Sequence, residues 1–438
     1  MRLNLKKICT YPVLLCLLCF VLAACQQTAP YEVVLLPSKT PEVTAVPSKV
    51  PLTEVPVASS TAVEPVEETE EIEPSEAVTQ VPTPTASEEP TPTPSPTPTP
   101  TPAAADDMHY YVQQENKAVK TLFWHLYNEI LQHKANIELP EGTTRENVDR
   151  AAWLLSVDCP ELFWFSHISG YSFMENEPDV ILSVTAEYRM DAEKTQKAQK
   201  EIDALIEKWS AAVKDASDYK KELYVHDALL KDCRYSASGS DSGTAYGAMI
   251  LGKARCQGYA NALCLCLRRM GIECAVITGT ATNAQGTENH AWNLMKIDGT
   301  WTLTDATWND PVGKDTVMYA YFNITDDLMG QSHTKDKVYV RYDLPGCTSM
   351  KRNYCVSNDR HVAAGADVKQ AVIDWAAAYL TDADAPRMIG FAESSQYEEA
   401  VALLSECLQA AVDQTGKTPK NGSFRYLLEP GANYLQFE

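Results

Sequence analysis

Residues 26–105 constrain the fold more than any other stretch, because their composition removes them from it. Pro, Thr, Glu, Val and Ser dominate, and the segment closes in a near-repeat of Pro and Thr from Pro82 to Pro102. Apolar mass is too scarce to offset the entropy of ordering, so the segment is expected to be disordered, with its Pro-Thr part stiffened toward polyproline II at about 3 Å per residue. The glutamates from Glu64 to Glu76 read as a solvated, self-repelling run rather than a binding tail. This is a spacer. The 438-residue chain is 45% hydrophobic, and that content, concentrated after the spacer, is enough for at least one large core.

Ahead of the spacer, Arg2, Lys6 and Lys7 precede an apolar run from Tyr11 to Ala24. Roughly 14 apolar residues fall short of the ~20 that cross a bilayer, so residues 1–25 read as a secretory signal rather than a spanning helix. The run ends Leu22-Ala23-Ala24-Cys25, which resembles the lipobox of bacterial lipoproteins and implies diacylation of Cys25; cleavage after Ala24 without a lipid is the alternative. The expected location is the extracellular face of a bacterial cell membrane, with the lipid as anchor and the spacer as tether.

The net charge is −22, and the spacer carries twelve glutamates against two lysines. No basic patch emerges in the remainder, which argues against nucleic acid or an anionic wall polymer held by charge. Neutral or basic protein and peptide substrates stay open, and cell-wall association by other contacts is compatible. Of thirteen cysteines, Cys9, Cys16 and Cys19 leave with the signal and Cys25 carries the lipid, so nine remain. An odd number fits one free thiol plus up to four bridges in an exported protein. Cys264 and Cys266, two apart in a predicted helix, cannot bond each other, and no close paired spacing suggests zinc. Most read as small core residues.

The folded part divides, on pattern, into a helical module at 106–215, a catalytic domain at 216–345 and a C-terminal α+β unit at 346–438. Helical spacing recurs from Tyr110 to Lys134, from a cap at Thr144 to Ser156, from Asp191 to Ala216 and from Tyr219 to Leu230. Cys159 to Phe165 and Val180 to Tyr188 read as strands. The C-terminal unit reads helix from a cap at Asp367 to Leu380, strand at Met388 to Ala392, helix at Tyr397 to Gln414, and a closing hairpin around Pro430-Gly431.

Chemistry concentrates after Ser242. Cys256 stands directly before a helical run that stops at Met270-Gly271, with Cys256, Ala260, Leu263, Cys264 and Leu267 on the inward face. A thiol at a helix N-terminus feels the partial positive charge of unpaired amides, which favours the nucleophilic thiolate. Alone, such a cysteine is more often a packed small residue. Its partners come from strand geometry. Asp298-Gly299 is a strong two-residue hairpin signal between His290–Ile297 and Thr300–Thr307. Pairing Ile297 with Thr300 sets Trp292 opposite Asp305 and His290 opposite Thr307, and puts His290 and Asp305 on one face as diagonal neighbours. An aspartate accepting from one imidazole nitrogen fixes the ring and leaves the other nitrogen for the thiol.

These residues resemble the transglutaminase-like superfamily of papain-like cysteine enzymes, in particular its bacterial surface branch. The matching pieces are Tyr246-Gly247-Ala248, Cys256-Gln257-Gly258-Tyr259-Ala260, His290-Ala291-Trp292-Asn293, and Gly299-Thr300-Trp301 with Asp305-Ala306-Thr307-Trp308-Asn309-Asp310-Pro311. Ala254-Arg255 replaces the more usual Gly-Val before the cysteine, and Asn309 stands where aspartate is common. The resemblance implies an α+β fold with a nucleophile helix packed on an antiparallel sheet, Cys256 as nucleophile, His290 as general base and then acid, and Asp305 as orienter. Tyr246 and Gln257 are candidate oxyanion donors beside the Cys256 amide, although Tyr246 reads equally as a packed aromatic and Gln257 as an exposed helix residue. Trp292 and Trp308 read as cleft walls or core, and His226 as a structural partner of Asp227. His109, His125, His133, His167, His333 and His361 show no metal spacing, and no phosphate loop or dinucleotide motif is present, so neither metal nor cofactor is expected.

The expected function is a cell-surface cysteine acyl transfer through a thioester, resolved by an amine or by water. A non-catalytic binding or scaffold module on the same fold is the rival. The anchor is directly testable: Cys25→Ser is expected to release the protein from the membrane fraction or leave it unprocessed, and unchanged membrane retention would exclude lipidation at this residue.

Overall fold

The hairpin at Asp298-Gly299 forms as its sequence requires. Both residues take positive φ (46° and 80°), the signature of a tight turn matched to strand twist. The ladder pairs Thr300 with Ile297 and continues through Leu303–Leu294 to Thr304–Asn293. There it stops. The expected strand to Thr307 ends at Thr304, because Asp305 turns its carboxylate back onto the amides of Thr307 and Trp308. Thr307 therefore does not lie opposite His290.

This computed structural model describes residues 108–438 apart from 175, 312, 314, 315 and 421, together with the backbone of two short strands, Ile8–Pro12 and Tyr31–Leu35. Cys25, where lipidation is expected, and the rest of the expected signal and spacer lie outside the described residues. The described residues belong to one compact unit. Its centre is a four-stranded antiparallel sheet in the spatial order Thr300–Thr304, Gly286–Ile297, Cys274–Asn283, His333–Lys335. Helix Cys256–Arg269 packs on this sheet, and the fold is α+β with a helix laid on an antiparallel sheet.

Side-chain hydrogen bonds hold that helix in place. Asn293 on the central strand donates to the Ala260 carbonyl at 2.9 Å, and Tyr259 donates to Asp310 at 2.5 Å. At the far end, buried Arg268 bonds the Cys274 and Asp158 carbonyls and the Asp158 carboxylate at 2.6–2.7 Å. Asp158 also accepts the amides of Tyr110, Tyr111 and Val112. This explains why the first helix is Lys117–Leu131 and starts later than its apolar spacing suggests: residues before Asn116 are captured in a short turn over Asp158. Removing one partner of such a buried pair costs about 3–5 kcal/mol.

Helices Arg145–Val157, Ala192–Ala212, Asp218–Asp232 and Val368–Thr381 begin at side-chain caps Thr144, Asp191, Ser217 and Asp367, each worth about 1 kcal/mol. The aromatic run from Cys159 is a turn whose strand begins only at Phe165 and pairs with Glu177–Tyr188. The C-terminal residues build a small core of their own around Trp375, Phe424 and Phe437. Met388, Leu427, Ala432 and Tyr434 belong instead to the main core, so the two are stitched together. The nine cysteines from Cys159 to Cys407 are free, eight of them buried.

Glu222 is fully buried beneath the hairpin, accepting from Thr304 at 3.1 Å and Asn323 at 2.6 Å. Burial pushes its carboxyl up to about 8, against the pull of Asn323 and Thr304. The folded state thus holds a proton that the unfolded state releases near 4.5. Glu222 favours folding fully below about 4.5 and loses that contribution as pH rises to about 8. Glu222→Gln is expected to flatten this decline, read as the melting temperature at several pH values; parallel curves for both proteins would show that Glu222 stays ionised.

Candidate active site

Cys256 opens its helix behind an extended Arg255, and no side chain caps the amide end. The thiol is therefore beside first-turn amides that no side chain occupies. Gly258 is required here. A Cβ at this position would lie 2.4 Å from the Ser242 carbonyl and 2.8 Å from the Ala254 side chain, so only glycine lets the first turn approach the 242–244 loop. Among the described cysteines Cys256 alone is partly exposed.

His290 sits on the central strand with its side chain buried, and its Nε2 lies 2.7 Å from Asp305 Oδ2. The Cys256 thiol is within electrostatic and hydrogen-bonding reach of the same ring, and with Nε2 committed to Asp305, Nδ1 is the nitrogen available to it. Burial opposes a charge on His290, but Asp305 and then Cys256 outweigh it and hold the ring well above its ordinary value. Burial likewise opposes the Asp305 carboxylate, yet His290 and His333 hold it well below the usual carboxylate range. Thiol, imidazole and carboxylate, expected from the hairpin, are thus brought together.

A second histidine meets the same carboxylate. His333 Nε2 lies 3.2 Å from Asp305 Oδ2, and the rings of His290 and His333 are 5.3 Å apart. The sequence pattern missed this residue. His333 enters on a short strand paired with Ala281, a long-range pairing that no local spacing announces. Trp308 is 4.5 Å from His333 and 5.6 Å from His290, and Trp292 is 5.0 Å from His333. Both tryptophans are walls around the pair.

Other candidates lie elsewhere. Tyr246 stacks on Phe163 and its hydroxyl faces Glu201 at 3.4 Å. Gln257 accepts from Arg255 at 3.3 Å. His226 is buried between Asp227 at 3.0 Å and Asn309 at 3.1 Å. Asn309 also accepts the Tyr321 amide at 2.9 Å, so an amide here serves donor and acceptor at once. Among the described residues, two groups bring three metal-type donors within 4.8 Å, His109/Cys159/Glu161 and His290/Asp305/His333. Each already contains a histidine hydrogen-bonded to a carboxylate, which accounts for the clustering without an ion.

A cysteine at a helix N-terminus within reach of a strand-borne His–Asp pair is an arrangement suited to a thiol nucleophile. In the comparison with known families, residues 207–306 match the transglutaminase-like superfamily. The kyphoscoliosis peptidases of Mus musculus and Homo sapiens are each 33% identical over 99 residues, covering 19% of this chain and only 15% of each relative. Among solved structures, a candidate cysteine protease from Cytophaga hutchinsonii is 15% identical over 38% of this chain and 61% of that chain (TM-score 0.22). A TGase structure is 13% identical over 55% of this chain and 56% of that chain (TM-score 0.25).

Because Asp305 holds the His290 proton, Asp305→Asn is expected to lower the His290 titration by at least about one unit. Histidine-selective NMR across pH reads the shift, and an unmoved His290 would assign its proton affinity to another group.

Proposed function

We propose that this protein is a cysteine acyl-transfer enzyme that acts on protein or peptide substrates through a thioester, at the outer face of the membrane to which Cys25 would anchor it. The observation that carries the reading is the 2.7 Å His290–Asp305 bond in a buried setting within reach of Cys256. The peptidase activity named for the mouse and human relatives supports a peptide carbonyl as acyl donor; a glutamine carboxamide offers the same reacting group.

In this reading Cys256 sulfur attacks the carbonyl carbon, and the carbonyl oxygen takes the negative charge near the first-turn amides. The C–N bond breaks as His290 gives its proton to the leaving amine or ammonia, which leaves a thioester on Cys256. An amine or water then attacks the thioester, His290 takes the attacking group's proton, and the thiolate is expelled. Asp305 keeps the ring in register throughout. Since the first half requires a protonated His290, turnover is expected to fall as pH rises through its raised value.

The test is a glutamine-containing peptide supplied with and without a primary amine. The wild-type protein is expected to incorporate the amine or release ammonia or a cleaved peptide. Cys256→Ala should reduce every product by about 10³-fold or more. Turnover that survives this substitution would remove Cys256 from the mechanism, and the product distribution identifies the acceptor.

A further inference from the structure

Resting on that triad reading, we propose that His333 is a positioning residue for the catalytic pair, and that the C-terminal unit holds it through the hydrogen-bonded chain Glu429–Tyr321–Ser332–His333–Asp305. Each link is present. Glu429 Oε1 is 3.0 Å from the Tyr321 hydroxyl, and that hydroxyl is 3.4 Å from Ser332 Oγ. Ser332 Oγ is 2.8 Å from His333 Nδ1, and His333 Nε2 is 3.2 Å from Asp305 Oδ2.

Donor counting gives the chain a direction. An ionised Asp305 only accepts, so His333 Nε2 carries a proton. Burial holds His333 below its ordinary value despite Asp305; the ring is neutral, and Nδ1 accepts from the Ser332 hydroxyl. Ser332 oxygen then accepts from Tyr321, whose own oxygen accepts from Glu429 when that carboxyl is protonated. Burial pushes Glu429 up to about 7, against the pull of Tyr321 and the Gly431 amide. When Glu429 ionises, the single Tyr321 proton turns toward it, and Ser332 must choose between Tyr321 and His333.

The ionisable groups bearing on Glu429 are Tyr321, Tyr397 and, through space, Asp305. Those bearing on His333 are Asp305 and His290. His290, itself held protonated, disfavours a second charge on His333. Geometry makes the linkage rigid. A Cβ on Gly431 would sit 2.5 Å from the Tyr321 hydroxyl and 3.3 Å from the Ser332 side chain, so the turn Pro430–Ala432 lies directly against the chain. Gln436 bonds the Val317 carbonyl at 3.0 Å, and the Tyr319 amide donates to the Tyr434 hydroxyl at 3.4 Å, which fixes the strand pair that bears Glu429.

The experiment measures iodoacetamide alkylation of Cys256 by mass spectrometry in the full chain, across a pH series, beside circular dichroism and melting curves. His333→Leu is expected to slow alkylation at neutral pH about tenfold and shift the pH profile, while His333→Gln, which keeps a donor toward Asp305, restores most of the rate. Tyr321→Phe, which interrupts the chain without exposing a charge, should slow it less. Glu429→Gln, which keeps a donor toward Tyr321 at every pH, should remove the inflection near pH 7. Folded His333→Leu with a wild-type profile would overturn the proposal. Should that variant not fold, wild-type profiles in both Tyr321→Phe and Glu429→Gln would overturn it equally. If wild-type Cys256 reacts no faster than free cysteine, the triad reading itself fails, a separate result.

Discussion

The site depends on one buried carboxylate having all its acceptor capacity filled. Asp305 is fully buried, and an unpaired ion there would cost several kcal/mol. Four donors meet it: the amides of Thr307 and Trp308 at Oδ1, and the rings of His290 and His333 at Oδ2. The amides come from the chain just past the hairpin, and the two rings come from separate strands of the sheet. Satisfying this ion therefore forces three segments into register. The same bonds that remove the desolvation penalty also set which nitrogen of His290 is free, so the stability and the chemistry of the site have a common origin.

Helix Cys256–Arg269 is the second half of the arrangement, and it is held at both ends. Asn293 and Tyr259 fix the thiol end against the strand and Asp310, while Arg268 fixes the other against Asp158 and Cys274. A helix fixed at one end only would let the thiol swing relative to His290, and small misplacements at a reacting centre carry large rate penalties. The buried Arg268 pair is expensive to desolvate and contributes little net stability; its value is that it specifies where the helix sits.

Local geometry was legible in the sequence and long-range pairing was not. Asp298-Gly299 fixed the hairpin parity, and through it the meeting of His290 and Asp305, because a two-residue turn admits one register. Side-chain caps at Thr144, Asp191 and Asp367 marked helix starts for the same reason: the signal lies within four residues. The first helix starts later than its spacing suggests because Asp158, 46 to 48 residues away in sequence, captures the amides at 110–112. His333 carries no local signal because its strand pairs with Ala281 past the whole Gly286–Thr304 hairpin, a partner that no nearby spacing announces. The role of the C-terminal unit was invisible for the same cause, since Glu429 reaches Tyr321 across more than a hundred residues.

The buried carboxyls of this protein divide by what faces them. Asp305 faces two imidazoles and two amides and is held low; Glu222 accepts only from the neutral side chains of Thr304 and Asn323, feels the Asp298 carboxylate through space, and is pushed up to about 8. Glu429, opposite a tyrosine and the Gly431 amide, falls between, at about 7. Burial raises all three, so the donor set decides the charge state. An acyl transfer at this site needs one fixed negative charge against His290 and no competing one nearby. A protonated Glu222 beneath the hairpin and a Glu429 separated from Asp305 by three neutral side chains meet that requirement. The donors gathered on Asp305 keep its charge in place against His290, whose ring in turn bears on Cys256.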